Sequence, residues 1–242
     1  MYEDLQKLID NSNNIVFFGG AGVSTASGIP DFRSDDGLYK KENKWEYRPE
    51  TMLSISFFNS HKADFFEFYK EVMCVTGYKP NITHYKLAEL EKSGKLKVVI
   101  TQNVDGLHQL AGSENVIELH GSIHRNYCMD CGKEFPAEYI KNYDGIPRCD
   151  KCGGIVKPDV TLYGENLPYA AMPTAKRYIR DADLVIIAGT SLTVYPAAGL
   201  IDGLYIKNLV LINRDATAMD YKASLVIRDD MTKVFEQIKV QA

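Results

Sequence analysis

A chain of 242 residues, 45% hydrophobic and 25% charged, has an ordinary globular composition and enough length for one large domain with a small satellite. A formal net charge of −4 argues against a protein that coats nucleic acid, and no apolar run approaches the roughly 18 residues of a membrane span. The opening MYEDLQKLIDNSNN is polar and acidic, unlike a signal peptide, and four of the five cysteines form two CxxC pairs, which suits metal binding in a reducing cytoplasm.

In chain order, residues 3–12 predict a short amphipathic helix with Leu5, Leu8 and Ile9 on one face. Ile15-Val16-Phe17-Phe18 follows as an apolar run without polar alternation, the pattern of a strand buried on both faces of a parallel sheet. Gly19-Gly20-Ala21-Gly22 comes next, and Val23 to Ser27 is expected to open a helix. Glycines there let backbone approach a ligand, and a helix N-terminus favours phosphate. Only Gly20 and Gly22 fit the dinucleotide fingerprint, because Thr25 stands at the third position, so the loop alone reads equally well as a tight turn. Residues 35–49, broken by Asp35-Asp36-Gly37 and then charged and irregular, are expected to form a lid. Aromatic spacings of three and four within 62–73 predict a helix, and His84 to Leu90 another, with His84 structural.

Leu96 to Thr101 reads as a second buried strand that runs into Gln102-Asn103-Val104-Asp105. Polar side chains at the carboxyl end of a parallel strand face the ligand crevice, although Asn and Asp also cap turns. Val116 to Leu119 is a third strand, ending at His120-Gly121, whereas His108 and His124 are expected to be structural. Cys128, Cys131, Cys149 and Cys152 form two CxxC pairs with residues 132–148 between them, a zinc-ribbon spacing. Four thiolates fill a tetrahedron and leave no position for water, so a zinc held there is structural rather than catalytic. Further strands are expected over 182–188, ending in Gly189-Thr190-Ser191, over Leu209 to Ile212, ending in Asn213, and at an edge over Leu225 to Ile227. Strands alternating with helices predict an α/β fold, a Rossmann-like doubly wound parallel sheet with a smaller discontinuous domain. Residues 1–36, 82–123 and 155–242 are expected to form the nucleotide-binding domain, with a helical insert (37–81) and a zinc ribbon (124–154) forming the small one.

GAGVSTASGIPDFRS, TQNVDGLHQLAG and ELHGS resemble, in order, the motifs of the sirtuins, and the likeness runs from Gly20 through Met231. It implies a bacterial-type NAD-dependent protein-lysine deacetylase with NAD as co-substrate, one structural zinc and acyl-lysine proteins or peptides as partners. By this resemblance Gly20, Ala21, Gly22, Thr25, Phe32 and Arg33 hold the pyrophosphate and cover the nicotinamide ribose. Gln102, Asn103, Val104 and Asp105 line the nicotinamide pocket, and Gly189, Thr190, Ser191 and Asn213 serve the ADP portion, with Asp230 and Met231 near the adenine. His120 is the implied catalytic base, acting with Asn103 and Asp105, while Thr161, Tyr163, Gly164, Glu165 and Val194 meet the substrate. The implied products are free lysine, nicotinamide and O-acetyl-ADP-ribose; mono-ADP-ribosyl transfer, or preference for a longer acyl chain, is the alternative.

Two positions depart from the family pattern: Tyr163 stands where Phe is usual, and Thr161 where a hydrophobic residue is usual. Sirtuins preferring succinyl- or malonyl-lysine share a Tyr-x-x-Arg pair on the insert helix, and Phe66 and Tyr69 occupy the matching positions here. The resemblance therefore implies acetyl- over succinyl-lysine.

Overall fold

The computed structural model describes residues 1–31, 45–201 and 203–240. Nine strands follow one another in these segments: β1 (Ile15–Gly19), β2 (Leu96–Thr101), β3 (Val116–Glu118), β4 (Gly121–Cys128), β5 (Glu134–Phe135), β6 (Val156–Val160), β7 (Leu184–Ala188), β8 (Leu209–Ile212) and β9 (Leu225–Ile227). Six are parallel and lie in the order β3-β2-β1-β7-β8-β9. Counted within this sheet alone, that is the doubly wound order, with a switch point between β1 and β7 where the chain reverses direction across the sheet.

Continuous apolar runs produce this sheet because both of its faces are covered. Side chains alternate along β1, so Ile15 and Phe17 enter one apolar cluster and Val16 and Phe18 the other. Helices Tyr2–Asp10, Ile82–Lys92 and Met231–Gln237 cover the first face through Leu5, Ile9, Leu87, Leu90, Val234 and Phe235. Helix Ala171–Asp181 covers the second through Ala175 and Ile179. The helix beginning at Ile82 is fixed by a capping box: Thr83 N donates to Asn81 Oδ1, and Asn81 N donates to His84 Nδ1 at 3.2 Å. His84 is thus structural, as its sequence context suggests.

The expected helix over Val23 to Ser27 does not form. Two 3₁₀ turns, Ala21–Val23 and Thr25–Ser27, stand in its place and stop at Gly28, whose φ of +91° ends the turn. Asn81 Nδ2 donates to Val23 O and to Ser27 Oγ, binding a carbonyl that a continuing helix would have used. No helix dipole points into the crevice from this segment.

A second, antiparallel sheet has the order β5-β4-β6. It shares an apolar cluster with the helices Pro49–Met52, Ile55–Ser60 and Lys62–Phe68, the last of which widens into a π turn over Tyr69–Met73. Phe58 and Phe65 meet edge to face at 5.0 Å, and Phe65 stacks on Tyr69 at 5.7 Å. Lys70 Nζ donates to the carbonyls of Tyr143 and Gly145, both at 2.6 Å, fastening these helices to the ribbon. The expected lid covers residues 35–49, of which 35–44 lie outside the described residues.

Candidate active site

The crevice begins where the turns after β1 and β7 cross. Gly22 N donates to Gly189 O at 2.9 Å, and a Cβ on Gly22 would lie 2.7 Å from Gly189 Cα. A Cβ on Gly20 would lie 2.7 Å from Thr190 Cβ. Gly189 has φ +60°, and its own Cβ would meet Val23 N at 2.7 Å. These glycines therefore allow two backbones to touch.

At the end of β2 the polar run folds back against that turn. Asn103 Nδ2 donates to Ser24 Oγ at 3.0 Å, and Ser24 Oγ donates to Asp105 Oδ2 at 2.6 Å. Asp105 Oδ1 accepts from Leu107 N at 2.9 Å. Burial raises the Asp105 pKa, while the Ser24 hydroxyl and Leu107 N–H oppose the shift by stabilising the carboxylate. Gln102 Nε2 donates to Thr190 Oγ1 at 3.3 Å, joining the β2 end to the β7 turn.

His120 follows β3. Its Nδ1 lies 3.0 Å from Gln102 O; a carbonyl only accepts, so Nδ1 carries the hydrogen and Nε2 keeps its lone pair. Burial lowers its pKa, partly offset by the Gln102 carbonyl, so the ring is neutral near pH 7. Gly121, at φ +75°, holds the ring's backbone in place: a Cβ there would stand 1.8 Å from Asp159 O. His120 O accepts from Thr161 N at 2.9 Å, bringing the segment that follows β6 to the same place.

These segments enclose a cavity of about 420 Å³, within the range of small-molecule sites. A family model described as Sir2 family matches residues 20–196, most of the chain. The chain belongs to the Sir2 family. An NAD-dependent protein deacetylase of Clostridium acetobutylicum is 59% identical over 97% of this chain and 96% of its own length. A solved Sir2 structure with p53 peptide and NAD+ is 38% identical, with a TM-score of 0.85 over 98% of this chain and 96% of its own. Another, with deacetylated p53 peptide and 3′-O-acetyl ADP ribose, has a TM-score of 0.87 at 38% identity over 97% and 96%.

In this Sir2 chain the cavity wall includes Ala21, Gly22, Thr25, Gln102, Asn103, Val104, Asp105, His120, Gly189, Thr190, Ser191, Asn213, Asp230 and Met231. Thr161, Tyr163, Gly164, Glu165 and Val194 line it as well. Gly20 stands behind the wall against Thr190, and Phe32 and Arg33 lie outside the described residues. Glu165 Oε2 accepts from Leu162 N at 2.8 Å and from Lys157 Nζ at 3.1 Å, which fixes the turn carrying Tyr163.

Sequence reasoning missed Ser24, the hydroxyl between Asn103 and Asp105. Its only signal was a place inside the first Sir2 motif, where a serine also reads as a turn residue. On the insert, Phe66 and Tyr69 are fully buried in the aromatic cluster, and Leu53, Val72, Met73 and Val75 line the cavity instead. Beyond Phe68 the π turn rotates the chain relative to an α-helix, and Val72 and Met73 within it reach the wall.

The four ribbon cysteines converge, all sulfurs lying within 4.8 Å of one another. Cys128 Sγ is 3.4 Å from Cys152 Sγ, and Cys131 Sγ is 3.7 Å from Cys149 Sγ. A tetrahedron with zinc–sulfur bonds of about 2.3 Å has edges of about 3.8 Å, so the donor set fits zinc. Bound there, zinc would crosslink the two CxxC turns. The cluster is a separate part of the molecule from the cavity, and none of its cysteines lines the wall.

Proposed function

We propose that this chain removes acetyl groups from lysine side chains of proteins, with NAD as co-substrate, releasing nicotinamide and O-acetyl-ADP-ribose. The observation that carries the reading is His120, a neutral imidazole with its tautomer fixed by Gln102 O, in one wall with Asn103 and Asp105. NAD supplies a ribose carbon with nicotinamide as leaving group and a ribose hydroxyl to receive the acyl group. His120 Nε2 takes the proton of that hydroxyl as general base. Asp105 and Asn103, braced by Ser24, orient the nicotinamide end. Gly22, Thr25, Gly189, Thr190 and Ser191 hold the phosphates, and Asn213, Asp230 and Met231 the adenosine end. Phe32 and Arg33 belong to the same proposal through the sequence motif alone.

Thr161, Tyr163, Gly164, Glu165 and Val194 receive the peptide in this reading, and Leu53, Val72 and Met73 the acyl chain. The division into a nucleotide-binding unit and a small zinc-bearing unit is part of it, supported by the separate aromatic cluster, with Val156, Val160 and Leu162 at the seam. A cytoplasmic location is also part of it, since four thiolates need a reducing compartment. Among the described residues no helix is long and apolar enough to cross a membrane.

Incubation with NAD and an acetylated peptide tests the reading. Nicotinamide, deacetylated peptide and O-acetyl-ADP-ribose should rise together in equal amounts. Nicotinamide release with ADP-ribose attached to protein and no deacetylated peptide would favour ADP-ribosyl transfer instead.

A further inference from the structure

β4 carries an interruption that the chemistry above does not use. Ser122 pairs with Asp159 and Asn126 with Pro158, so residues 123–125 bulge from β4 while β6 continues without a gap. Each bulged residue reaches the end of the parallel sheet. Ile123 N donates to Val104 O at 3.0 Å, and Arg125 pairs with Glu118 at 2.7 Å and Asp159 at 2.9 Å. Between them, His124 Nε2 lies 2.8 Å from Asp105 O; the carbonyl requires Nε2 to be the donor.

We propose that His124 is a positioning residue for Asp105, and that the β4 bulge is how the zinc-bearing sheet holds the nicotinamide pocket in register. The proposal rests on the deacetylase reading in taking Asp105 as the nicotinamide-binding carboxylate. Asp105 precedes Gly106, whose φ of +72° turns the chain sharply, and the three atoms nearest a Cβ on Gly106 all belong to the His124 ring. The ring therefore covers the one face of the turn that carries no side chain, while bonding the carbonyl just before it. The carboxylate of the same residue is held by Ser24 and Leu107 N, so both ends of Asp105 are fixed. His124 itself is exposed, and its removal opens no cavity in the core.

The test compares the full-length wild-type protein with His124→Leu and His124→Gln. NAD and nicotinamide are each titrated calorimetrically, and deacetylation, melting temperature and zinc content are followed on the same preparations. His124→Leu should weaken nicotinamide binding and raise KM for NAD about fivefold, the loss of one hydrogen bond. KM for peptide, Tm and zinc content should stay at wild-type values. His124→Gln, whose amide can donate to the same carbonyl, should recover most of the loss. Unchanged affinities in His124→Leu would overturn the proposal, as would a His124→Gln variant that fails together with loss of zinc or Tm. Wild-type protein that binds NAD without deacetylating peptide would sink the functional reading, while the affinities would still decide the clasp.

Discussion

The two sheets are held by different means. β1 is buried at every position, with a parallel strand on each side and an apolar cluster against each face. β4 is exposed at His124 and Arg125, and its partner β5 is only two residues long. What the small sheet lacks in strand length it replaces with point fastenings: the cysteine cluster, Lys70 on two ribbon carbonyls, and Asn126 Nδ2 on Phe135 O. A sheet secured by area resists the loss of any one contact. A sheet secured by points depends on each of them, and the cavity is walled by both.

Removing the metal should break this comparison most forcefully. Structural zinc contributes about 10 kcal/mol or more to small cysteine modules, so strong chelation or Cys128→Ala should unfold the ribbon and abolish deacetylation. Hydrogen exchange should then show lost protection over 124–155 with β1, β2 and β7 still protected. Equal loss in both sheets would mean that they do not differ as described.

His120→Ala should leave both sheets intact and still lower kcat for deacetylation by about 10² to 10⁴, with Tm and zinc unchanged. In the proposed reading the base works as neutral imidazole, and burial lowers its pKa; the acid limb of kcat/KM should therefore fall below pH 6.5, the ordinary histidine value. An acid limb above 6.5 would contradict the assignment.

The large sheet has its own weak point, exposed by pH. His84 and His108 are buried with rings 4.7 Å apart, and neither nitrogen of His108 has a hydrogen-bond partner among the described residues. Burial lowers His84 to about 4, and burial together with His84 lowers His108 to about 3. Below pH 6.5 the unfolded chain takes up protons that the folded chain refuses. The stabilisation is complete above 6.5 and is lost as pH falls towards these values, by up to about 1.4 kcal/mol per pH unit for each histidine. Urea midpoints at pH 7, 6 and 5 should fall in step, and His108→Gln should flatten the dependence. A flat wild-type profile would refute it.

The smallest effect concerns the acyl group, which in the proposed reading meets Leu53, Val72 and Met73. Leu53, Val72, Met73 and Val75 give the cavity an apolar wall, and Lys70 is turned away to Tyr143 and Gly145. Among the described residues that apolar wall carries no lysine or arginine, so a succinyl carboxylate would be desolvated against it and would share the cavity with Asp31, Asp105 and Glu165. Succinyl-lysine should have a kcat/KM at least about tenfold below acetyl-lysine on one peptide. Parity between them would mean that a cation outside these four residues meets the carboxylate.

The parallel strands were legible because burial on both faces leaves continuous apolar runs, and the cysteine pairs because ligand spacing follows from tetrahedral geometry. His120 was legible from its strand end, the following glycine and its motif. The 3₁₀ turns after β1 were not, because they depend on Asn81, far along the chain, taking up Val23 O and Ser27 Oγ. Ser24 was hidden for a related reason: its partners Asn103 and Asp105 come from another strand. Local pattern also gave an α-helix through 73, where the chain widens at Tyr69 and turns Val72 and Met73 into the cavity.

The pairing of β1 with β7 has a consequence for synthesis. Residues 15–19 leave the ribosome well before residues 184–188, one of their two neighbours in the sheet. At roughly 5–20 residues per second, β1 waits on the order of ten seconds or more before that neighbour exists. The wall is completed later still, when Asp229 to Thr232 emerge. During that interval an apolar strand edge stands open in the nascent chain, and NAD has no finished crevice to enter. β1 is thus made well before it is enclosed, and the crevice is complete only once residues 229–232 have been translated.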